Sequence, residues 1–260
     1  MSSFLTNKLD ILLHLFFNHS MKTTDYIACT INRLPKGYVF TYYDFYNEVN
    51  NMEAIIKALN RMAASGKIEK LSKGKYYKPE KTVFGNLEPS QKQIVKDLLE
   101  DNGKITGYLT GLSIYNQLGF TTQVSNTIQI GKNEIRPSLE RGRYSISFVK
   151  QKNTINKENI NSLQLLDVLR YINKIPDTTI ENTLKIFIEL LKNREPKEIY
   201  NLQRLALKYK PSVRALLGAI LEQTNLGELE ILENSLNPIT KYNFKGADKI
   251  LTTTEKWNIK

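Results

Sequence analysis

Lysine falls at positions 67, 70, 73, 75 and 78 of the fifteen residues 64–78, ASGKIEKLSKGKYYK. Ammonium groups at that density suit a polyanion, because each can sit against a phosphate oxygen. Just upstream, Lys57, Asn60 and Arg61 fall close together. Arginine and asparagine can read guanine or adenine edges through paired hydrogen bonds, and lysine suits phosphate or guanine. The chemistry these residues offer is recognition of nucleic acid. Lys57, Asn60 and Arg61 are the candidate base readers, and Lys67, Lys70, Lys73 and Lys75 the candidate phosphate contacts.

The elements that must position them can be read from periodicity and breakers. Residues 21–34 have helical spacing at Ile27, Ile31 and Leu34, and Pro35-Lys36-Gly37 stops that helix. A short extended piece, 38–40, leads to Thr41, an N-cap for a helix over 42–49. Asn50-Asn51 turns the chain into a third helix, 52–64, with Gly66 as its left-handed cap. On that helix Met52, Ile55, Leu59 and Met62 form the core stripe, which leaves Glu53, Lys57, Asn60, Arg61 and Ala64 outward. Strands over 68–72 and 75–78 then meet at Lys73-Gly74 as a hairpin. Ile68, Leu71 and one or both of Tyr76 and Tyr77 are expected to seal the core beneath it. This order is that of a winged helix-turn-helix, whose third helix enters the major groove while the wing follows the backbone.

The expected organisation is an N-terminal extension over 1–20, the winged helix-turn-helix over 21–80, a linker over 81–88 and a second domain over 89–260. The second domain reads as a small α/β part to about 155 followed by helices. Its candidate elements are a helix over 91–100, a short helix capped by Thr110 or Gly111 and closed by Gly119, and strands over 126–130, 134–136 and 144–150. Helices are expected over 162–173, 178–191, 198–209, 213–223 and 226–235, followed by an aperiodic tail carrying Trp257. The fold class is therefore α+β, mostly α.

Charge agrees with a nucleic-acid partner. The 260 residues carry a formal net charge of +11 and a pI of about 9.5, which favours polyanions over acidic proteins as partners. Two stretches, 132–157 and 185–214, each carry a net charge of +5. Within the first, Arg136, Arg141 and Arg143 form a candidate second basic surface, because guanidinium forks match phosphate. One cysteine, Cys29, excludes an intramolecular disulfide and fits a cytoplasmic setting. It is expected to be a buried structural thiol. Two histidines and one cysteine give no zinc pattern, and no metal or other cofactor is expected. The apolar run 11–17 is too short to span a membrane, and Asp10 before it argues against a signal peptide. Phosphate-loop, dinucleotide, metalloprotease, nucleophile-elbow and kinase signatures are all missing, so the chain is not expected to be an enzyme.

Three stretches resemble AbiEi-type antitoxins of type IV, abortive-infection toxin–antitoxin systems. GKIEKLSKGKYYKP (66–79) is similar to the end of that family's winged domain. GYLTGLSIYNQLGFTTQVSNTIQIGKN (107–133) is similar to the start of its second domain, and ADKILTTTEKWNIK (247–260) fits a subfamily ending. The resemblance implies a protein that binds inverted repeats in promoter DNA, as monomer or homodimer, and represses its own operon. It also implies neutralisation of a nucleotidyltransferase-like toxin, often without a stable direct complex. The toxin's own pattern, a G-S dipeptide followed by D-x-D or D-x-E, is absent. A winged-helix regulator without a toxin, its second domain serving dimerisation or ligand sensing, fits the same residues.

Overall fold

The computed structural model describes residues 22–260, so the expected extension 1–20 lies outside the described residues. The chain divides into two compact units, one running to Val95 and the other spanning Lys96–Lys260.

In the first unit, α1 (Thr23–Arg33) buries Ile27 and Ile31. The Lys78 ammonium donates to the Asn32 and Leu34 carbonyls at 2.7 and 2.9 Å, so this lysine serves the end of α1. Cys29 is half-exposed rather than buried, because the helix buries only the stripe through Ile27 and Ile31. Strand β1 (Val39–Thr41) leads into a 3-10 turn. There the Asp44 carboxylate accepts from the Thr41 backbone N–H at 2.8 Å. The turn continues as α2 (Tyr46–Val49), and Asn50 adopts a left-handed φ of 47°. Asn51 then caps α3 (Met52–Ala64), its side-chain oxygen accepting from the Ala54 N–H at 3.0 Å.

After Gly66, at φ 67°, the chain forms β2 (Glu69–Ser72) and β3 (Lys75–Tyr77). Strand β3 lies between β2 and β1 in an antiparallel sheet, pairing Phe40 with Tyr76 and Lys70 with Tyr76. Ile27, Ile31, Phe40, Phe45, Ile55, Leu59, Met62, Ile68 and Tyr76 close one core. Tyr77 is also buried, whereas Leu71 is half-buried. Met52 departs from the expected core stripe at 41% exposure. It is the first residue of α3, one turn before the buried layer begins at Ile55.

The stretch 81–88, expected as a linker, is folded. Strands β4 (Glu80–Thr82) and β5 (Gly85–Leu87) pair antiparallel. The turn holds because the Thr82 hydroxyl donates to the Gly85 carbonyl at 2.7 Å and Gly85 takes φ 112°. Asn86 ties β5 to Glu69 of β2 through its side-chain amide. The helix expected over 91–100 divides at Val95 into α4 (Gln91–Ile94) and α5 (Lys96–Leu99).

In the second unit a short pair, β6 (Glu100–Asp101) and β7 (Lys104–Ile105), precedes a four-stranded sheet. That sheet consists of β8 (Gly107–Thr110), β9 (Thr127–Lys132), β10 (Leu139–Arg141) and β11 (Tyr144–Lys150), in the order β10-β11-β9-β8. The β9–β11 pair is parallel and the others antiparallel. Residues 134–136, expected as a strand, are a loop. Asn133 starts it, donating to the Gln151 and Asn153 carbonyls at 2.8 Å each, and pairing resumes beyond Pro137.

Gly111, at φ 78°, opens α6 (Leu112–Gln117). The helices α7 (Ile160–Tyr171), α8 (Ile180–Lys192), α9 (Pro196–Ala206) and α10 (Pro211–Thr224) follow. Only α11 (Glu230–Glu233) forms where a helix over 226–235 was expected. The aperiodic tail is tied to α10. Trp257, 1% exposed, donates its indole N–H to Glu222 at 2.6 Å. Its ring packs so closely on Gly218 that a Cβ there would lie 2.1 Å from Cζ3. The fold is thus mixed α and β, with helices dominating the second half.

Candidate nucleic-acid interface

Helix α3 turns Ile55, Ala58, Leu59 and Met62 inward. Lys57, Asn60 and Arg61 are therefore exposed on its outer face, as the 3.6-residue period requires. The three differ in how free they are. Lys57 pairs with Glu53 at 2.6 Å, both side chains being largely exposed. Such a helical pair is worth only about 0.3–0.5 kcal/mol, so a phosphate can displace the glutamate. Asn60 accepts a hydrogen bond from the Tyr76 hydroxyl at 2.8 Å. That bond takes one of the two lone pairs of the amide oxygen and fixes the side chain's orientation, and it leaves the amide N–H groups as donors. Arg61 has no partner among the described residues and keeps its whole guanidinium available.

On the hairpin, Lys67, Lys70 and Lys73 are exposed and Lys75 is half-buried. The ribbon is fixed beneath them. The Tyr77 hydroxyl donates to Glu69, and Asn86 donates to the same carboxylate. Those bonds hold the Glu69 carboxyl below its ordinary range, while burial and then Glu69 itself push the Tyr77 phenol up. Gly74 takes φ 73° at the tip. Three free-standing ammonium groups thus project from an anchored ribbon, and the α3 face belongs to the same folded unit.

The arginine trio of the second unit does not form one surface. Arg141 is buried and makes a two-pronged pair with Asp97, at 2.5 and 2.7 Å. A phosphate cannot reach it without breaking that pair. Arg141 lies on β10, whose alternation turns its side chain inward between the exposed Glu140 and Gly142. Arg143 is exposed and stacks over Tyr144 at 5.2 Å. Arg136 stands in the exposed loop.

Sequence reasoning passed over a different constellation. Asp167 on α7 is fully buried and accepts from the hydroxyls of Tyr108, Thr110 and Tyr209 at 2.7, 2.9 and 3.0 Å. Gln151 donates to the Tyr108 and Tyr209 hydroxyls at 2.9 and 2.7 Å. Burial pushes the Asp167 carboxyl above its ordinary range, and the three hydroxyls oppose that shift. Gly131 is required here, because a Cβ would meet the Tyr108 ring at 2.3 Å. The G-Y-x-T-G stretch therefore places two hydroxyl donors on a buried carboxylate. The signal available in the sequence was an aspartate inside the apolar run Leu165-Leu166-Asp167-Val168-Leu169, where a charge needs partners.

Comparison with known proteins gives a family whose description assigns it no function. Residues 26–199 match the family described as "Family of unknown function (DUF6088)". No curated protein matches the chain. Among solved structures, the RV2827C protein from Mycobacterium tuberculosis is similar in fold, with a TM-score of 0.53 at 12% identity. The match covers 86% of this chain and 85% of that one.

Proposed function

The chain belongs to the DUF6088 family, of unknown function, and we propose that it is a DNA-binding antitoxin that represses its own operon. On this reading the first unit is a winged helix-turn-helix. Helix α3 lies in the major groove of promoter DNA bearing inverted repeats, and β2–β3 is the wing. Arg61 reads a base edge, Lys57 meets a phosphate or guanine, and Asn60 donates one hydrogen bond from its amide. Lys67, Lys70 and Lys73 contact phosphates, with Lys75 at the ribbon's edge. The observation that carries the reading is the exposed α3 face beside exposed wing lysines, in one unit whose core fixes both.

The antitoxin part rests on the resemblance of residues 107–133 to AbiEi-type proteins, and implies a nucleotidyltransferase-like toxin as functional partner. The chain then acts in the cytoplasm and catalyses nothing. Among the described residues, no helix is long and apolar enough to cross a membrane. One observation favours a second reading, a regulator without a toxin. The Tyr108 and Thr110 side chains of that same stretch are engaged by the buried Asp167, so those two residues support the fold rather than a toxin-facing surface.

Two assays separate the readings. A reporter driven by the chain's own upstream DNA is expected to be repressed by the intact protein and released by Arg61→Ala. Co-expression with the adjacent reading frame is expected to rescue growth if that frame encodes the toxin. Repression without rescue selects the regulator, and neither effect overturns both.

A further inference from the structure

The two stretches of net charge +5 found in the sequence converge in the second unit. Lys150 and Lys152 come from one, Lys208 and Lys210 from the other, and together with Arg170 they line a cleft of about 310 Å³. That size accommodates a small ligand. No lining residue is acidic. The four lysines are exposed, and none of their ammonium groups makes an ion pair among the described residues. Arg170 is held in place by donating to the Lys150 carbonyl at 3.2 Å and by stacking over Tyr171 at 5.2 Å.

Two of the other lining side chains are tied into the buried polar network. Gln151 and Tyr209 are buried and hydrogen-bonded to each other at 2.7 Å. Through Tyr209 they connect to Asp167 at 3.0 Å. That carboxylate is spent on three hydroxyls and adds no free acceptor. Pro211 marks the first turn of α10 at the cleft, so the positive end of a fourteen-residue helix adds to the field.

We propose that this cleft binds a compact ligand bearing two adjacent phosphates, either free pyrophosphate or the diphosphate of a nucleotide. Five cations around one concavity match a small polyanion. A duplex backbone, by contrast, presents phosphates along a line and is met by cations spread along a surface. The cleft is built entirely from residues of the second unit, and the proposal stands whether or not the duplex reading of the first unit holds.

The test is calorimetric titration of the full chain with pyrophosphate, with ADP and with sulfate at fixed ionic strength. Lys152→Glu/Lys208→Glu alters exposed residues of the cleft, and Lys241→Glu/Lys245→Glu matches its charge change elsewhere. Saturable binding of pyrophosphate or ADP is expected, tighter than sulfate, weakened about tenfold or more by the cleft variant and unchanged by the control. ADP binding more tightly than pyrophosphate identifies a nucleotide, and pyrophosphate binding as tightly as ADP or more tightly identifies the diphosphate alone. Absence of saturable binding, or equal loss in both variants, overturns the proposal. So does loss of duplex affinity in the cleft variant when neither pyrophosphate nor ADP binds, which would assign the cleft to nucleic acid.

Discussion

Replacing Asp167 probes the polar centre of the second unit in two separable ways. Asp167→Ala removes the acceptor of three hydroxyls. The Tyr209 hydroxyl has an alternative in the Leu163 carbonyl at 3.4 Å, which leaves Tyr108 and Thr110 short of an acceptor. Each of these two unsatisfied buried groups costs about 1–3 kcal/mol, so a loss of about 2–6 kcal/mol is expected. Asp167→Asn keeps the shape and one acceptor oxygen. Its amide can donate to Tyr209, whose own proton then turns to Leu163. A loss of about 1–2 kcal/mol is expected. The two variants also differ from the parent in pH dependence. Burial raises the Asp167 pKa in the fold, so the folded state holds its proton over a range in which the unfolded chain, titrating near about 3.9, has released it. Stability from this group therefore falls as pH rises from that value toward the folded pKa, and is lowest above both. Urea denaturation at several pH values, followed by the fluorescence of the chain's one tryptophan, Trp257, reads both effects. Asp167→Asn is expected to lose this component of the pH slope. A slope identical to the parent's, or a neutral Asp167→Ala, would refute the assignment of Asp167 as a buried carboxyl that burial holds above its ordinary range.

Three further outcomes are expected. Gly131→Ala places a Cβ against a Tyr108 ring that cannot retreat from its hydrogen bonds, and should cost about 2–4 kcal/mol in the same denaturation assay. Arg141→Met breaks a pair whose arginine is buried but whose aspartate is 45% exposed. A stability loss of about 1–2 kcal/mol, with no change in duplex affinity, is expected. On the proposed DNA-binding reading, Lys73→Ala at the hairpin tip should weaken binding to every duplex and reduce the salt slope by about one unit, as measured by titration at several salt concentrations.

The first unit was the more legible in sequence because its signals are local. Asn51 caps α3, Gly66 ends it and Gly74 turns the hairpin, and each lies within a few residues of the structure it sets. The face assignment of Lys57, Asn60 and Arg61 followed from one helical period. The engagement of Asn60 with Tyr76 did not, since it joins residues sixteen apart in sequence. In the second unit the informative contacts are long-range. Strand β8 is four residues long and earns its place only by pairing with β9. Arg141 looked like surface charge because Asp97, its partner, lies 44 residues away. The tail has no period because packing holds it instead, through Trp257 on Gly218 and the bridge between Tyr242 and Ile259.

The central claim is that α3 reads DNA sequence and the hairpin follows its backbone. Fluorescence anisotropy of the intact protein and Arg61→Ala tests it, using the chain's own upstream duplex and a scrambled one at two salt concentrations. The account predicts salt-dependent binding that prefers the upstream duplex, with Arg61→Ala costing on the order of 1–3 kcal/mol and removing most of that preference. Equal, weak binding of both duplexes by the intact protein, or an Arg61→Ala variant unchanged in affinity and preference, would contradict it.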